Sequence, residues 1–387
     1  MDQRVRMIQE HSEGYSISSL AEMYAVSRRT VYKWLERHDR EGAAGLADRH
    51  RAPHESPNQV SAEMVDLIIA ARHRWRWGPY KLRIKLVEQN PRLLVPAAST
   101  IGEVLKRAGL THRRKPRVRT PPYAQPFAAV EDANQTWCSD FKGWFRTGDG
   151  TRCDPLTITD AHSRYLLRCQ ITPKTDTIHV TAIFDAAFRQ YGLPLVIHTD
   201  NGVPFASTAP GGLSRLSMYW IRLGILPERS RVASPQDNGR HERMHLTLKQ
   251  ATLRPPERNP RRQQAAFDCF QHEYNHERPH AALDDATPAS LYSCSPRQMP
   301  RRIPELVYDE GIQVRRISQQ GSLKWKGQRT FVSEVFAYEW IGLRPLNERL
   351  FEVLYGPMTV GYFDGFSHRF HRALSNKLKQ HLENGKA

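Results

Sequence analysis

The sequence predicts a multidomain chain. Helix-turn-helix units stand at the N-terminus, an α/β domain with a mixed sheet lies in the middle, and a small all-β barrel closes the chain. Three observations predict it. Helical periodicity fills the first hundred residues. From Thr136 the pattern changes to short β-rich runs broken by one amphipathic helix. From about Arg302, apolar and polar residues alternate between glycine turns. At one domain per ~150 residues, a chain of 387 residues holds two to three domains, each long enough for a buried core.

Composition removes several classes of function. With 39% hydrophobic and 25% charged residues and a mean hydropathy of −0.62, the chain reads as globular. No run of ~18 apolar residues exists to cross a membrane. MDQRVRMIQEHSEGYS lacks the apolar stretch of a secretory signal, so a cytoplasmic protein is expected. Cys138, Cys153, Cys169, Cys269 and Cys294 form no CxxC pair, which predicts reduced thiols and no zinc knuckle. The net charge of +17 is uneven. Residues 1–120 carry 23 basic and 13 acidic side chains, residues 121–297 carry 20 and 18, and residues 298–387 carry 14 and 9. Basic flanks around a near-neutral centre fit a chain whose ends hold a polyanion, and nucleic acid is the expected partner.

Element by element, SISSLAEMYAVSRRTVYKWLERH reads as two helices, the second capped by Ser27 with Val31, Trp34 and Leu35 facing the core. Arg28, Arg29, Thr30, Tyr32 and Lys33 are left on the outer, N-terminal part, where a recognition helix meets base edges and phosphates. This unit is assigned to residues 1–52. A second unit, 58–112, of helix-turn-helix or winged type, contains a helical stretch interrupted near Gly78-Pro79 and a further helix expected to be capped at Ser99. Trp75 and Trp77 could stack on bases, but tryptophans beside a helix start more often belong to the core. The linker 113–126 puts Arg113, Arg114, Lys115, Arg117 and Arg119 into one short run, suited to tracking phosphates.

The central domain, 127–297, begins with the β-rich runs WCSDFKGWF, DPLTITDAHS, RYLLRCQIT and PLVIHTD. The helix HVTAIFDAAFRQYG falls between the last two of them, and three more helices follow. The barrel is assigned to 298–387. Asp140 falls inside the first strand, Asp200 ends the strand VIHTD, and Glu242 sits one turn into the helix beginning near Asn238. A carboxylate in mid-strand, one at a neighbouring strand's end and one on a covering helix can converge. Such a cluster of anionic oxygens suits two Mg²⁺ ions ~4 Å apart, which clamp an in-line phosphoryl displacement. The competing carboxylates have structural readings. Asp149 belongs to a turn, Asp154 precedes a proline, Asp160 is placed to bond amides near Ser163 and Arg164, and Asp237 lies at a helix start.

WCSD, HTDNGVPF, SPQDNGRHERMHLTLK and YNHERPHAAL together resemble the motifs of bacterial insertion-sequence transposases with a retroviral-integrase-like DDE core. The resemblance spans the chain and implies a ribonuclease-H-like central fold. It also implies that Asp140, Asp200 and Glu242 are the catalytic, metal-binding triad, served by two Mg²⁺ ions for which Mn²⁺ can substitute. The implied activity is cleavage at element ends to free a 3′-OH, followed by attack of that hydroxyl on target DNA. At least a dimer on double-stranded DNA would be needed, in a bacterial cytoplasm and at the nucleoid when DNA is bound. The interval from Asp200 to Glu242 is longer than the retroviral one, and FASTAPGGLSR can absorb the excess. By the same similarity, Lys249, seven positions after Glu242, and His245 on nearly the same face contact the DNA end. A solvated helix face is the equal alternative for Lys249.

Two rival readings bear on the same residues. The chain could be a non-enzymatic helix-turn-helix regulator with an inactive core, although the intact set of three carboxylates argues against degeneracy. His241-Glu242-Arg243-Met244-His245 also matches HExxH, the zinc-protease helix motif, with His272 or Glu273 as a distal ligand. That match leaves both basic flanks and the other two carboxylates unexplained.

Overall fold

The computed structural model describes residues 3–49, 59–111, 130–230 and 239–375. Chain contacts group residues Met1–Met64 into one unit and Val65–Ala387 into another.

The first unit contains α1 (Gln3–Ser12), α2 (Ile17–Met23) and α3 (Arg28–Glu41). Ser16 and Ser27 accept hydrogen bonds from the amides of Ser19 and Thr30, satisfying exposed donors at the starts of α2 and α3. Met7, Leu20, Ala21, Val31, Trp34 and Leu46 form its core, with Leu35 partly buried against them. The guanidinium groups of Arg4 and Arg37 lie over the Trp34 ring. With Val31 and Trp34 turned inward, Arg28, Arg29, Tyr32 and Lys33 are left exposed and Thr30 half-exposed.

Helices α4 (Ala62–Trp75), α5 (Pro79–Gln89) and α6 (Ala98–Arg107) follow. Pro79 at the first position of α5 supplies the interruption expected there. Helix α6 starts one residue before the expected cap. Ala97 holds the cap position without a side-chain bond, and Ser99 falls inside the first turn. No strand occurs among the described residues of this stretch, so a wing is not part of it. Trp75 and Trp77 are buried, their rings stacked 5.4 Å apart. Their indole N–H groups donate to Glu277 and Glu273 of the central domain, each at 2.8 Å. Both tryptophans therefore dock the helices onto that domain instead of meeting bases.

The central domain orders β1 (Thr136–Phe141), β2 (Phe145–Arg146), β3 (Arg152–Asp160), β4 (Leu166–Thr172), α7 (Thr177–Tyr191), β5 (Val196–Thr199), α8 (Arg215–Arg222), β6 (Leu226–Arg229), α9 (Gly239–Thr252) and α10 (Pro260–His272). The sheet runs β2-β3-β1-β5-β6, with β4 paired to β3. Pairing is antiparallel among β1, β3 and β4 and parallel between β1, β5 and β6, so the sheet is mixed as expected. Strand β6 was not legible: LPER is four residues long, contains a proline and has no alternation. One face packs Trp137, Leu156 and Ile158 against Val180, Phe184 and Phe188 of α7 and Trp220 of α8. The other face packs Leu166 and Cys169 against Met244, Leu248, Phe267 and Phe270 of α9 and α10.

After a short helix, α11 (Pro288–Leu291), come β7 (Gln313–Arg316), β8 (Ser322–Trp325), β9 (Gln328–Phe331), β10 (Trp340–Pro345), β11 (Leu350–Tyr355), β12 (Met358–Asp364) and β13 (Arg369–His371). The expected barrel is corrected here. Five strands form an open sheet, β13-β12-β11-β10-β7, and β8–β9 stands as a separate hairpin. Edge strand β13 is only three residues long, and the hairpin packs on the sheet through Trp325, which meets the rings of Phe351 and Phe363. The FASTAPGGLSR stretch has a role there. Its Leu213 joins this core, and Gly211 lies so close to Val360 of β12 that a Cβ would sit 3.2 Å from the valine methyl. All five cysteines are free. Among the described residues no helix is long and apolar enough to cross a membrane.

One ion pair anchors the C-terminal sheet. Asp364 is 2% exposed and takes hydrogen bonds from Arg349 Nε and Nη2 and from the amides of Phe366 and Ser367. Burial pushes its carboxyl up, but Arg349 and the two amides outweigh burial and hold it well below the usual carboxylate range. An acid whose pKa falls on folding stabilises the fold above its unfolded value, ~3.9, and loses that stabilisation as pH drops further. Asp364→Asn should cost about 3 kcal/mol at neutral pH. In urea melts followed by tryptophan fluorescence, the gap to the parent should narrow below pH ~4. A gap independent of pH would remove the ion pair as its cause.

Candidate active site

The β1–β5 register brings the first two carboxylates together. Thr136, Trp137 and Cys138 pair with Val196, Ile197 and His198 in parallel. Continued by two residues, the same register sets Asp140 beside Asp200, on the face that Cys138 and His198 share. Asp200 is fixed by its turn: Oδ1 accepts from the Gly202 amide at 3.0 Å, and a Cβ at Gly202 would press to 3.1 Å on the carboxylate. Phe205 secures the loop from below, buried between Phe141 and Trp220.

Glu242 comes from the first turn of α9. That helix lies on the sheet through His241, Met244, His245 and Leu248, leaving Glu242 and Lys249 exposed. Asp140 feels the other two carboxylates. Burial first, then the charges of Asp200 and Glu242, push the Asp140 carboxyl up to about 7, against a hydrogen bond that favours its ionised form. Among the described residues no three His, Cys, Asp or Glu side chains stand close enough to hold a common ion, so the three carboxylates are near one another without closing on a single point.

Beneath Asp140, Thr157 sits opposite it in the β1–β3 register and donates from its hydroxyl to the Asp140 carbonyl at 3.0 Å. Both histidines of the HExxH sequence turn onto this hydroxyl, His245 Nε2 at 2.8 Å and His241 Nε2 at 3.1 Å. With the hydroxyl proton directed at the carbonyl, each imidazole presents Nε2–H to the oxygen. The atoms that would grip zinc are therefore occupied with threonine. Burial holds both rings neutral, pushing His241 down to about 4 and His245 further. The expectation that His245 contacts DNA is corrected by its position. It is 9% exposed and bonded through Nε2 to Thr157, with Nδ1 4.0 Å from Asp140 Oδ2, so its ring packs beneath the carboxylate.

Lys249 does stand on the exposed edge of α9. Next to it lies a residue not singled out from the sequence, Lys142, whose ammonium is pushed down by burial and by the nearby charge of Lys249. Strand alternation carried the signal, because Asp140 and Lys142 are two apart in β1 and its continuation. The rival carboxylates have structural partners. Asp160 accepts from the Asn134 amide and from the amide and hydroxyl of Ser163, and Asp149 accepts from Thr147 and Thr151. Asp237 and the run Arg113, Arg114, Lys115, Arg117 and Arg119 lie outside the described residues.

Comparison with known proteins places the same segments. Residues 4–66 match the winged helix-turn-helix family, although the described part of that stretch is helical without strands. Residues 131–235 and 223–288 match two integrase core domain families. The transposase InsD of insertion element IS2 from Escherichia coli is 24% identical over 294 residues, spanning 72% of this chain and 91% of that protein. Among solved structures, the catalytic core domain of HTLV-2 integrase in complex with magnesium aligns at 17% identity and a TM-score of 0.33, covering 41% of this chain and 97% of that one. The catalytic core domain of BIV integrase aligns at 20% identity and a TM-score of 0.32, covering 41% and 93%. A helix-turn-helix unit joined to an integrase core, with a transposase matching most of its length, makes this chain a DNA transposase of the insertion-sequence type, a polynucleotidyl transferase with an integrase-like core.

Proposed function

We propose that the enzyme binds the ends of its element, cleaves there to free a 3′-OH and transfers that end to target DNA, using Asp140, Asp200 and Glu242 with Mg²⁺, for which Mn²⁺ can substitute. The observation that carries this reading is the β1–β5 register, which sets half-buried Asp140 beside Asp200, with its carboxyl pushed up by burial and by the charges of Asp200 and Glu242. Like charges held together at a cost are relieved by a divalent cation, and an all-oxygen donor set suits Mg²⁺. Two bound ions would polarise the phosphodiester and clamp its attacking and leaving oxygens. The protein's own residues do the positioning. The β1–β5 pairing sets the spacing of two carboxylates, Thr157 and His245 fix the Asp140 strand from behind, and Lys142 and Lys249 present positive charge to the DNA backbone beside them. Joining two ends to one target calls for two active sites, hence at least a dimer on DNA. The bacterial cytoplasm, and the nucleoid when DNA is bound, is the matching location.

The test uses labelled duplexes carrying the terminal sequences that flank the gene, incubated with the full chain and Mg²⁺. Nicking at the end followed by a strand-transfer product is expected; binding without either product would leave a regulator. In the same assay Arg28→Ala combined with Arg29→Ala should weaken end binding. Its log–log salt dependence should flatten by roughly 0.9 for each phosphate that the variant no longer neutralises. An unchanged slope and affinity would take α3 away from the DNA.

A further inference from the structure

The YNHERPHAAL segment has no part in the carboxylate cluster, yet it helps line a cavity of about 280 Å³ beside α9. At about 100° of rotation per residue, Arg243 and Thr247 stand roughly 100–140° round the helix from Glu242, whereas Lys249 shares the Glu242 edge. The cavity thus opens on the flank of α9 away from the reacting carboxylates.

Four cations from four stretches of chain line it: Lys81 of α5, Arg164 of the β3–β4 turn, Arg243 of α9 and Arg278 of the segment itself. His280 lines it as well, 9% exposed, with its Nε2 buried and lacking any hydrogen-bond partner among the described residues. Three carboxylates are near: Asp160, which lines the cavity, and Glu273 and Asp285, which oppose the crowding of Arg278 and Lys81; each takes a hydrogen bond from another group, and one Asp285 oxygen has no partner among the described residues. Asp160 accepts from Asn134 and Ser163, Glu273 from the Trp77 indole, and Asp285 from the Tyr80 hydroxyl. Among the described residues, no carboxylate comes within ion-pair distance of any of the four cations. Their crowding is felt: burial and Arg278 push the Lys81 ammonium down to about 8, with Arg243 adding to this and Asp285 opposing it. Lys81 also donates to the Pro279 carbonyl, which fixes it at the cavity wall.

Concentrated positive charge and three guanidinium forks, beside an unpartnered buried imidazole nitrogen, form a receptor for an oxyanion. The volume lies below the ~300–1,000 Å³ of pockets for drug-sized ligands, so a phosphate group fits better than a nucleotide. We propose that this pocket binds a phosphate group, and that its occupant is a non-reacting phosphodiester of the bound DNA. Helix α9 would then be held between two phosphates, one reacting at Glu242 and one gripped behind it, so that seating the DNA also seats the Glu242 edge. The DNA occupant rests on the proposed reaction; the phosphate chemistry does not.

Two probes test it on the full chain: inorganic phosphate in thermal melts, and a short random-sequence duplex in salt titrations. Arg243→Gln is the main variant, because Arg243 is exposed on α9 and its loss leaves the core intact. Arg261→Gln, at the exposed start of α10, is the control. Phosphate should raise the melting temperature of the parent and of Arg261→Gln but not of Arg243→Gln. The salt slope for DNA should flatten by roughly 0.9 in Arg243→Gln alone. A phosphate response without the slope change would keep the site and overturn DNA as its occupant. Equal slope changes in both variants with no phosphate response would mean diffuse surface charge and overturn the pocket. Arg278→Lys gives a second check, since it keeps the charge but loses the fork and should weaken the phosphate response. If strand transfer fails while the phosphate response survives, the proposed reaction is at fault and the pocket is not.

Discussion

Asp140→Asn should abolish nicking and strand transfer while making the metal-free protein more stable. The catalytic loss follows from removing one anionic oxygen donor of three. A metal site that stabilises charge in the transition state contributes several kcal/mol, so a fall of at least about a thousandfold, ~4 kcal/mol, is expected. Asp200→Asn should lose activity to a similar degree. End binding by α3 should persist in both, because neither residue belongs to that unit. The stability gain comes from burial. An unfolded aspartate ionises near ~3.9, whereas Asp140 in the fold, half-buried beside Asp200 and Glu242, holds its proton up to about 7. A carboxyl raised in this way opposes folding once it must ionise. The penalty begins as pH rises past ~3.9, grows until about 7 and is constant above that. Asparagine removes it. The variant should therefore be about 2–4 kcal/mol more stable at pH 8 without divalent metal, and indistinguishable from the parent below pH ~4. Denaturant melts at the two pH values, with EDTA present, measure this. Near-native activity would take Asp140 out of the triad, and a variant no more stable at pH 8 would remove the electrostatic account of the cluster.

Asp140 and Asp200 were legible because a polar residue inside a β-rich run and another at a strand's end are both unusual, and parallel pairing of those strands puts them side by side. Ser27 was legible as a cap and Val31 and Trp34 as a core stripe, because helix termini and amphipathic spacing are local rules. The barrel was not, because alternation marks strands without saying which edges meet. The strand order, with β7 and β13 at opposite edges and β8–β9 apart, is what leaves the sheet open. His245 was misread for a related reason. Spacing places it near the Glu242 edge of α9, but which side of that edge faces the sheet depends on Thr157, some ninety residues earlier in the chain. The cationic cavity is not legible in the sequence, because its four charges come from four distant stretches, each an ordinary solvated Lys or Arg when read alone.

The HExxH sequence separates the chemistries at a single helix. Glu242→Gln should be inactive in strand transfer, for it removes a carboxylate from the cluster while preserving size and the helix. His241→Ala and His245→Ala should behave differently. Each strips one N–H donor from the Thr157 hydroxyl and leaves a space beneath the sheet, at a cost of about 1–3 kcal/mol in stability. His241→Ala should keep most of the activity. His245→Ala should lose part of it, since its ring lies against Asp140 and its removal loosens that side chain. Thr157→Val is the decisive companion. It keeps the shape but withdraws the oxygen that both imidazoles share and the donor to the Asp140 carbonyl, so it should reproduce the stability loss of either histidine variant. Combined with His245→Ala, it should add less than the sum of the two, as residues of one hydrogen-bond network do. A zinc protease would give the opposite pattern. Stoichiometric zinc would be found in the purified protein, either histidine variant would lose it, and Thr157→Val would free both Nε2 atoms and tighten the metal. Zinc bound in the parent and lost from both histidine variants would reassign the helix, whereas metal-independent coupling through Thr157 leaves Glu242 as its one reacting group.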